Sequence, residues 1–223
     1  MPLDFPPFGS VGADMKPAGY DIDMALLLAQ ELGVKLEMVP VTTINRLPYL
    51  TEKKVDLIVS SLGKSPEREK VIDFSASYAP FFIGVFGTSD QKVEKAEDLA
   101  GKTIGVTRGG FEDSELIKVA PKTAIIQRFE DNDKTLSAFL SGNVPLIVTG
   151  NVVAANISDR QPHKRLDFKF FIKNSPCFVG VNKGEARLLE RVNTIIAKSK
   201  ADGSLNRFGE KWMKMKRPVA SFL

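Results

Sequence analysis

The sequence has one cysteine, Cys177, and one histidine, His163, among its 223 residues. A single cysteine excludes an internal disulfide, and these two residues together cannot supply the ligands of a Cys/His zinc site. A Ser-His-Asp triad would depend on His163, which lies in the polar segment 159–164. The sequence therefore predicts no metal site and gives little support to histidine-dependent hydrolysis.

Long apolar segments are also missing. The longest apolar run, residues 79–86, contains Gly84 and is much shorter than the ~18 residues that a membrane-spanning helix needs. We expect it to form one buried strand. Residues 1–4 have neither the basic nor the apolar region of a signal peptide. The 31 basic and 27 acidic residues give a net charge of +4, which is too small an excess to indicate a nucleic-acid partner.

What the sequence does contain is an alternation of helix-period and strand-like segments, which is typical of α/β proteins. The clearest helix covers residues 20–32, with two acidic residues in its first turn and Gly33 as its C-cap. The other predicted helices are 44–52, 132–141, 186–200 and 205–213, and the predicted strands are 34–41, 55–59, 102–107, 124–129 and 144–149. In such folds, ligands bind at the carboxyl ends of the strands.

The turn after the second predicted strand carries groups that suit an anion. Ser60, Ser61 and Gly63 follow the strand, and a short capped helix with Arg68 comes next. A guanidinium group binds a carboxylate through two parallel hydrogen bonds, so hydroxyls, a glycine amide and Arg68 together indicate a carboxylate site. The alternative is an ordinary capped turn with a surface arginine.

A second turn, residues 107–111, brings Gly110 and Phe111 to the start of a predicted helix, where backbone amides favour negative charge. It fits neither GxGxxG nor GxxxxGK[ST], so we predict no nucleotide cofactor. Glu112 and Asp113 already occupy much of that helix dipole. The alternative is a simple turn.

Two aromatic residues, Phe5 and Phe8, flank two prolines at the start of the sequence. An aromatic ring on such a stiff segment can stack on a ligand. It can equally form an apolar lid over the sheet, and the sequence favours the lid.

The order and spacing of four segments, residues 19–41, 53–81, 96–110 and 140–156, resemble the extracellular solute-binding proteins, family 3, the polar amino-acid receptors of ABC importers. Residues 54–82 are the most specific part, because they combine a strand, the Ser-Ser turn, the PERxxxIDFS segment and the apolar strand that follows. The resemblance covers essentially the whole sequence.

This resemblance implies a two-lobed α/β fold of the periplasmic-binding-protein type (type II), with two crossing hinge strands and closure around the ligand. Lobe 1 would be residues 1–86 and 183–223, and lobe 2 would be residues 87–182. Family members have a strand before the Phe-Pro-Pro-Phe segment. We therefore expect an unpaired position in the lobe 1 sheet, which could destabilise the chain or allow it to dimerise.

The resemblance also assigns roles to individual residues. Arg68 would pair with the ligand α-carboxylate, helped by the backbone amides of Gly63 and Phe111. The Ser61 hydroxyl would contact the α-ammonium group, and the Ser60 carbonyl would lie beside it. Phe5 would stack on the ligand side chain, with Thr43 on the opposite wall.

Two positions depart from the family pattern. Gly150 stands where an aspartate usually binds the ammonium group, so either Asn151 or Glu112 compensates for it or the solute is not an α-amino acid. Gly110-Phe111 stands where a Ser/Thr pair is usual, which removes a hydroxyl but keeps the amides.

The expected function is therefore the binding component of an ABC importer for a carboxylate-bearing solute, most simply an amino acid. We expect a periplasmic protein without catalytic residues, metal or cofactor. Its partner would be an inner-membrane permease, and it would be a monomer unless the lobe 1 edge pairs. The alternatives are a truncated or repurposed domain with impaired binding, and a cyclohexadienyl-dehydratase-like enzyme with Glu112 as its general acid.

Overall fold

The computed structural model describes residues 1–160, 166–215 and 218–222, so His163 lies outside the described residues. The chain divides into two compact units. Unit 1 comprises Met1–Pro80 and Ser175–Leu223, and unit 2 comprises Phe81–Asn174. Both limits lie a few residues earlier in the chain than the predicted lobe boundaries.

The elements follow one another in the α/β order that the sequence predicts. The described strands are β1 (Asp4–Phe5), β2 (Gly9–Val11), β3 (Pro17–Ala18), β4 (Leu57–Leu62), β5 (Ile72–Ala79), β6 (Phe82–Gly87), β7 (Thr103–Thr107), β8 (Ile125–Phe129), β9 (Leu146–Gly150), β10 (Asp167–Asn174) and β11 (Cys177–Asn182). The described helices are α1 (Tyr20–Leu32), α2 (Arg46–Thr51), α3 (Pro66–Glu69), α4 (Phe111–Val119), α5 (Asn132–Leu140), α6 (Asn151–Arg160), α7 (Ala186–Ala201) and α8 (Ser204–Met213), with short 3-10 helices at Ala96–Leu99 and Val219–Phe222. No helix within these described ranges is long and apolar enough to cross a membrane.

Unit 1 contains two three-stranded sheets, one in the order β1-β2-β3 and one in the order β4-β11-β5. Helices α1 and α7 pack on the second sheet. One apolar cluster of this unit joins Leu50 of α2 to Ile58, Leu62 and Ile72 of the sheet. Burial of these large side chains, each worth about 1.5–3 kcal/mol, anchors α2 and β4 together.

Helix α1 forms as the sequence predicts. Asp21 and Asp23 lie in its first turn, and Gly33 ends it in the left-handed conformation at φ 70°. The amide of Gly33 donates to Gln30 O, and that of Val34 donates to Ala29 O. These bonds satisfy carbonyls that the helix itself cannot pair.

The strand predicted at residues 34–41 is wrong, because this segment has no strand assignment. Its alternating pattern needs a neighbouring strand to supply ladder hydrogen bonds. Met1 bonds to it at one end, with the amino group donating to Val39 O at 2.8 Å and Val41 N donating to Met1 O at 3.1 Å. Beside this segment lies a groove of about 530 Å³, and β4 stands at the sheet edge. Strand β4 is therefore an edge strand of the described sheet.

The single strand predicted over residues 79–86 is also wrong. The structure has two strands, β5 ending at Ala79 and β6 beginning at Phe82. Pro80 lies between them and has no N–H with which to continue a ladder. The chain leaves unit 1 at this point, so the two apolar strands belong to different sheets.

Unit 2 is built on one five-stranded sheet in the order β10-β6-β9-β7-β8. Strand β7 is parallel to β8 and β9, whereas β6 is antiparallel to β9 and β10. The carboxyl ends of β7 and β9, at Thr107 and Gly150, therefore meet at the same edge. Helix α4 begins a few residues after the first end, and α6 begins directly after the second.

Candidate functional site

In unit 1, Arg68 lies against the turn that follows β4. Its short helix, α3, begins because the Ser65 hydroxyl accepts from the Arg68 amide at 3.3 Å and Pro66 occupies the first helical position. The Arg68 guanidinium donates through Nη1 to Gly63 O at 2.9 Å. The structure thus brings Arg68 and Gly63 together, as the sequence predicts. A guanidinium held in this way loses less side-chain entropy when it binds an anion.

The peptide group between Ser60 and Ser61 is held on both sides. Its carbonyl oxygen, on Ser60, accepts from Arg46 Nη1 at 2.6 Å, and its N–H, on Ser61, donates to the Tyr78 hydroxyl oxygen at 3.2 Å. Ser61 has a φ of 42°, in the left-handed region. This conformation costs a residue other than glycine roughly 1–2 kcal/mol, so the surrounding bonds must hold it in place.

Tyr78 is itself held by Asp21, and both side chains are completely buried. The Tyr78 hydroxyl donates to Asp21 Oδ1 at 2.5 Å, whereas Asp21 Oδ2 has no hydrogen-bond partner among the described residues. Burial raises the pKa of Asp21 to about 7, against the opposing effects of the Tyr78 hydrogen bond, the Met1 amino group, the Ser61 backbone amide and Arg46. Burial and the neighbouring Asp21 raise the pKa of Tyr78 well above its ordinary value, so its phenol stays protonated.

No sequence motif marks Asp21, Arg46 or Tyr78 as neighbours of this turn. Asp21 is one of two acidic residues in the first turn of α1, a common position for an acid, and the sequence pattern gives Tyr78 no role. A signal was available for Arg46, since an arginine beside apolar helix positions needs an acceptor when it is buried. Its partner, however, is a backbone carbonyl, which no sequence pattern marks.

Phe5 and Thr43 occupy different environments in unit 1. Phe5 is 8% exposed, and its ring stacks on that of Phe8, with centroids 6.0 Å apart and planes at 14°. This packing matches the apolar lid that the sequence favours. Thr43 is half-buried in the loop before α2. Thr42 and Asn45 fix that loop, since each backbone amide donates to the side chain of the other, at 2.7 and 3.3 Å.

In unit 2, Gly110 and Phe111 lie at the start of α4. Gly110 is the N-cap and has no side chain with which to cap the helix. The amide of the preceding Gly109 donates to Asp113 Oδ2 at 3.2 Å, and Asp113 also pairs with Arg128 at 3.0 Å. An acid of the helix itself therefore uses one of the amides at this turn, as the sequence predicts. The Phe111 ring is buried, with the Lys173 ammonium 5.1 Å from its centroid.

Gly150 has no room for a side chain. A Cβ atom there would lie 1.9 Å from the ring of Phe81. The next residue, Asn151, accepts a hydrogen bond at Oδ1 from the Phe82 amide at 3.0 Å. Asn151 Oδ1 can accept one further hydrogen bond, for example from an ammonium group, whereas its NH₂ group can only donate. Glu112, half-buried in the first turn of α4, is the remaining carboxylate candidate in this unit.

The guanidinium, hydroxyls and backbone amides described here are groups that can bind an anion. Within the described residues, no group of three or more His, Cys, Asp or Glu side chains could hold a metal ion. Cys177 is buried in β11.

Comparison with known proteins identifies a family whose sequence pattern this chain matches. The bacterial extracellular solute-binding proteins, family 3, match residues 1–215. The chain belongs to this family. The description of these solute-binding proteins implies a periplasmic or extracellular location, an amino-acid ligand and an ABC permease as partner.

Several relatives of this solute-binding protein are named as amino-acid-binding proteins. The glutamine-binding protein GlnH of a Bacillus subtilis ABC transporter is 26% identical, covering 88% of this chain and 72% of GlnH. The P235GK mutant of ArgBP from T. maritima has a TM-score of 0.88 and 29% identity, covering 96% of this chain and 93% of ArgBP. The ancestral amino acid-binding protein AncCDT-1, a precursor of cyclohexadienyl dehydratase, has a TM-score of 0.87 and 31% identity, covering 95% and 92%. The predicted two-lobed α/β fold class is confirmed.

The raised pKa of Asp21 predicts a pH-dependent effect of Asp21→Asn on stability. From its ordinary value of 3.8 up to about 7, the unfolded chain loses this proton while the folded protein keeps it. The carboxyl group therefore lowers stability progressively across this window, and no further above it. We expect the variant to gain stability relative to the wild type as the pH rises from 4 to 7. Urea unfolding of both proteins across this range measures the gain, and parallel pH profiles would contradict the assignment.

The contact at Gly150 predicts that Gly150→Ala destabilises the protein. The added methyl group meets the Phe81 ring, and forcing extra volume into a packed site costs about 1–3 kcal/mol. Denaturant unfolding measures this cost. In a Phe81→Ala background the same substitution should cost almost nothing, because the obstructing ring is gone. An equal cost in both backgrounds would show that Phe81 is not the obstacle.

Proposed function

We propose that this chain is the amino-acid-binding component of an ABC importer and that it acts in the periplasm. The observation that carries the proposal is the Arg68 guanidinium fixed beside the 60–63 turn through Gly63. Relatives named as glutamine-binding and arginine-binding proteins support an amino acid as the class of ligand.

The proposal divides ligand recognition into two parts. Arg68 and the Gly63 amide bind the α-carboxylate. The Ser61 hydroxyl, which makes no hydrogen bond to a described residue, accepts from the α-ammonium group. The Ser60 carbonyl can also accept, because Arg46 uses only one of its two lone pairs.

The carboxylate dominates this recognition. The position of the usual aspartate is Gly150, which is closed by Phe81, and the neighbouring Asn151 offers a neutral amide oxygen that already accepts from the Phe82 amide. In unit 1 the ammonium group meets neutral acceptors, the Ser61 hydroxyl and the Ser60 carbonyl, whereas the carboxylate meets the full positive charge of Arg68. Charged hydrogen bonds are about twice as strong as neutral ones. We infer that the solute must carry a carboxylate and that its amine matters less.

We propose binding without covalent chemistry. A dehydratase-like reaction would need a general acid beside the ligand. The carboxyl group with a raised pKa, that of Asp21, is completely buried and bonded to Tyr78, which suits a structural role. AncCDT-1, although named as a precursor of a dehydratase, is itself named an amino acid-binding protein.

We also propose that the chain acts as a monomer. The free edge of β4 offers a route to dimerisation by strand pairing. Sedimentation velocity at several protein concentrations distinguishes the monomer from a dimer.

Arg68→Ala tests the proposal. Without the guanidinium, the ligand carboxylate loses a charged hydrogen-bonding partner, which is worth about 2–5 kcal/mol, or at least about thirtyfold in Kd. Calorimetric titration with L-arginine and L-glutamine measures the loss. Agmatine, which is arginine without the carboxylate, should bind the wild type and the variant equally weakly.

Arg187→Ala is the matched control, because it removes the same charge from an exposed position on α7. We expect its affinity to equal that of the wild type, and all three proteins to unfold at similar temperatures. Unchanged amino-acid affinity in Arg68→Ala would remove Arg68 from the site.

A further inference from the structure

We propose that Arg46 and Tyr78 are positioning residues of the ligand site, and that Asp21 positions Tyr78. Together they clamp the peptide group between Ser60 and Ser61 so that Ser61 is presented to the ligand. The assignment rests on the proposed function, because it concerns the residue that would bind the ligand's amine.

The geometry of the clamp follows from the planarity of a peptide group. The Ser60 carbonyl and the Ser61 N–H belong to one plane and point in opposite directions. Arg46 Nη1 holds the carbonyl at 2.6 Å, and the Tyr78 hydroxyl holds the N–H at 3.2 Å. Rotating this plane would break both bonds at once. The plane therefore fixes the backbone angles on either side of it, including the φ of 42° at Ser61.

Asp21 determines which way the Tyr78 hydroxyl points. A phenol has one proton to donate, and here it goes to Asp21 Oδ1 at 2.5 Å. The lone pairs of the hydroxyl oxygen are then available to the Ser61 N–H. Asp21 and Tyr78 are completely buried and Arg46 is 7% exposed, so water does not compete with these hydrogen bonds.

The conformation of Ser61 indicates that the clamp serves the site rather than the turn alone. Glycine adopts a positive φ without strain, and many turns use it for that reason. This chain instead has a hydroxyl-bearing residue in the left-handed region and holds it with buried hydrogen bonds. Strained residues held by their surroundings are concentrated at ligand-binding positions. The hydroxyl of Ser61 is what this arrangement preserves.

A double-mutant cycle between Tyr78→Phe and Ser61→Gly separates positioning from general stability. If Tyr78 holds Ser61 in a strained conformation, its hydroxyl matters little once a glycine adopts that conformation freely. We expect Tyr78→Phe to weaken L-arginine or L-glutamine binding about tenfold with Ser61 present, and less than about twofold with glycine there. Equal losses in both backgrounds would overturn the proposal.

Tyr20→Phe is the matched control. The Tyr20 hydroxyl is equally buried and donates to the Tyr78 carbonyl at 2.9 Å, on the backbone of the same strand. It makes no bond to the peptide group of Ser60 and Ser61. We expect this variant to lose stability as Tyr78→Phe does, yet to keep its ligand affinity within about twofold. An equal loss of affinity in the two variants would refute a positioning role for Tyr78.

A measurement without ligand tests the clamp separately from the proposed function. Hydrogen exchange of the Ser61 amide, followed by NMR, should become about tenfold faster in Tyr78→Phe and stay unchanged in Tyr20→Phe. If no amino acid binds the wild type but the exchange rates change in this way, the proposed function fails and the clamp is upheld. If the Ser61 exchange rate does not change in Tyr78→Phe, the clamp is refuted, whatever the protein binds.

Discussion

The hydrogen bond between Tyr78 and Asp21 is the constraint on which the candidate site of unit 1 depends. It joins the first turn of α1 to the end of β5, and it turns the phenol so that its oxygen can accept from Ser61. Burying a carboxyl group is costly, and the raised pKa of Asp21 is the sign of that cost. An apolar residue at this position would avoid that cost. A buried polar group is expected instead where its hydrogen bonds fix one conformation.

Two features of the turn at residues 60–63 have to be held in place. Ser61 must keep a left-handed backbone, and Arg68 must keep its guanidinium beside the same turn. Nearby residues hold Arg68, because Ser65 caps α3 and Gly63 accepts from Arg68. The backbone of Ser61 is held by residues distant in sequence, on α1, α2 and β5. In unit 2, the candidate positions at the end of β9 offer little to a ligand. Phe81 closes the space at Gly150, and Asn151 Oδ1 accepts from the Phe82 amide.

The sequence predicts most of the fold because most elements are decided locally. Helix α1 has its acidic first turn and Gly33, and α3 has its Ser65-Pro66 start. The local grouping of Arg68 with Gly63 was predictable for the same reason. The strand expected at 34–41 fails because a strand exists only beside a partner, which its own residues cannot specify. The run at 79–86 fails because an apolar pattern does not show that the chain changes sheets at Pro80. The hydrogen bonds of Asp21, Arg46 and Tyr78 were unpredictable, since they join residues far apart in sequence, and two of them use backbone atoms.

The most direct test of the binding role is thermal unfolding of refolded, ligand-stripped protein against the standard amino acids, ornithine, citrulline and small organic acids. A ligand present at a hundred times its dissociation constant stabilises the folded state by about 2.7 kcal/mol, which for a chain of this size raises the midpoint by several degrees. We expect such a shift with at least one carboxylate-bearing amino acid. A cooperatively unfolding protein whose midpoint moves with none of these compounds would contradict the assignment of this chain as an amino-acid-binding protein.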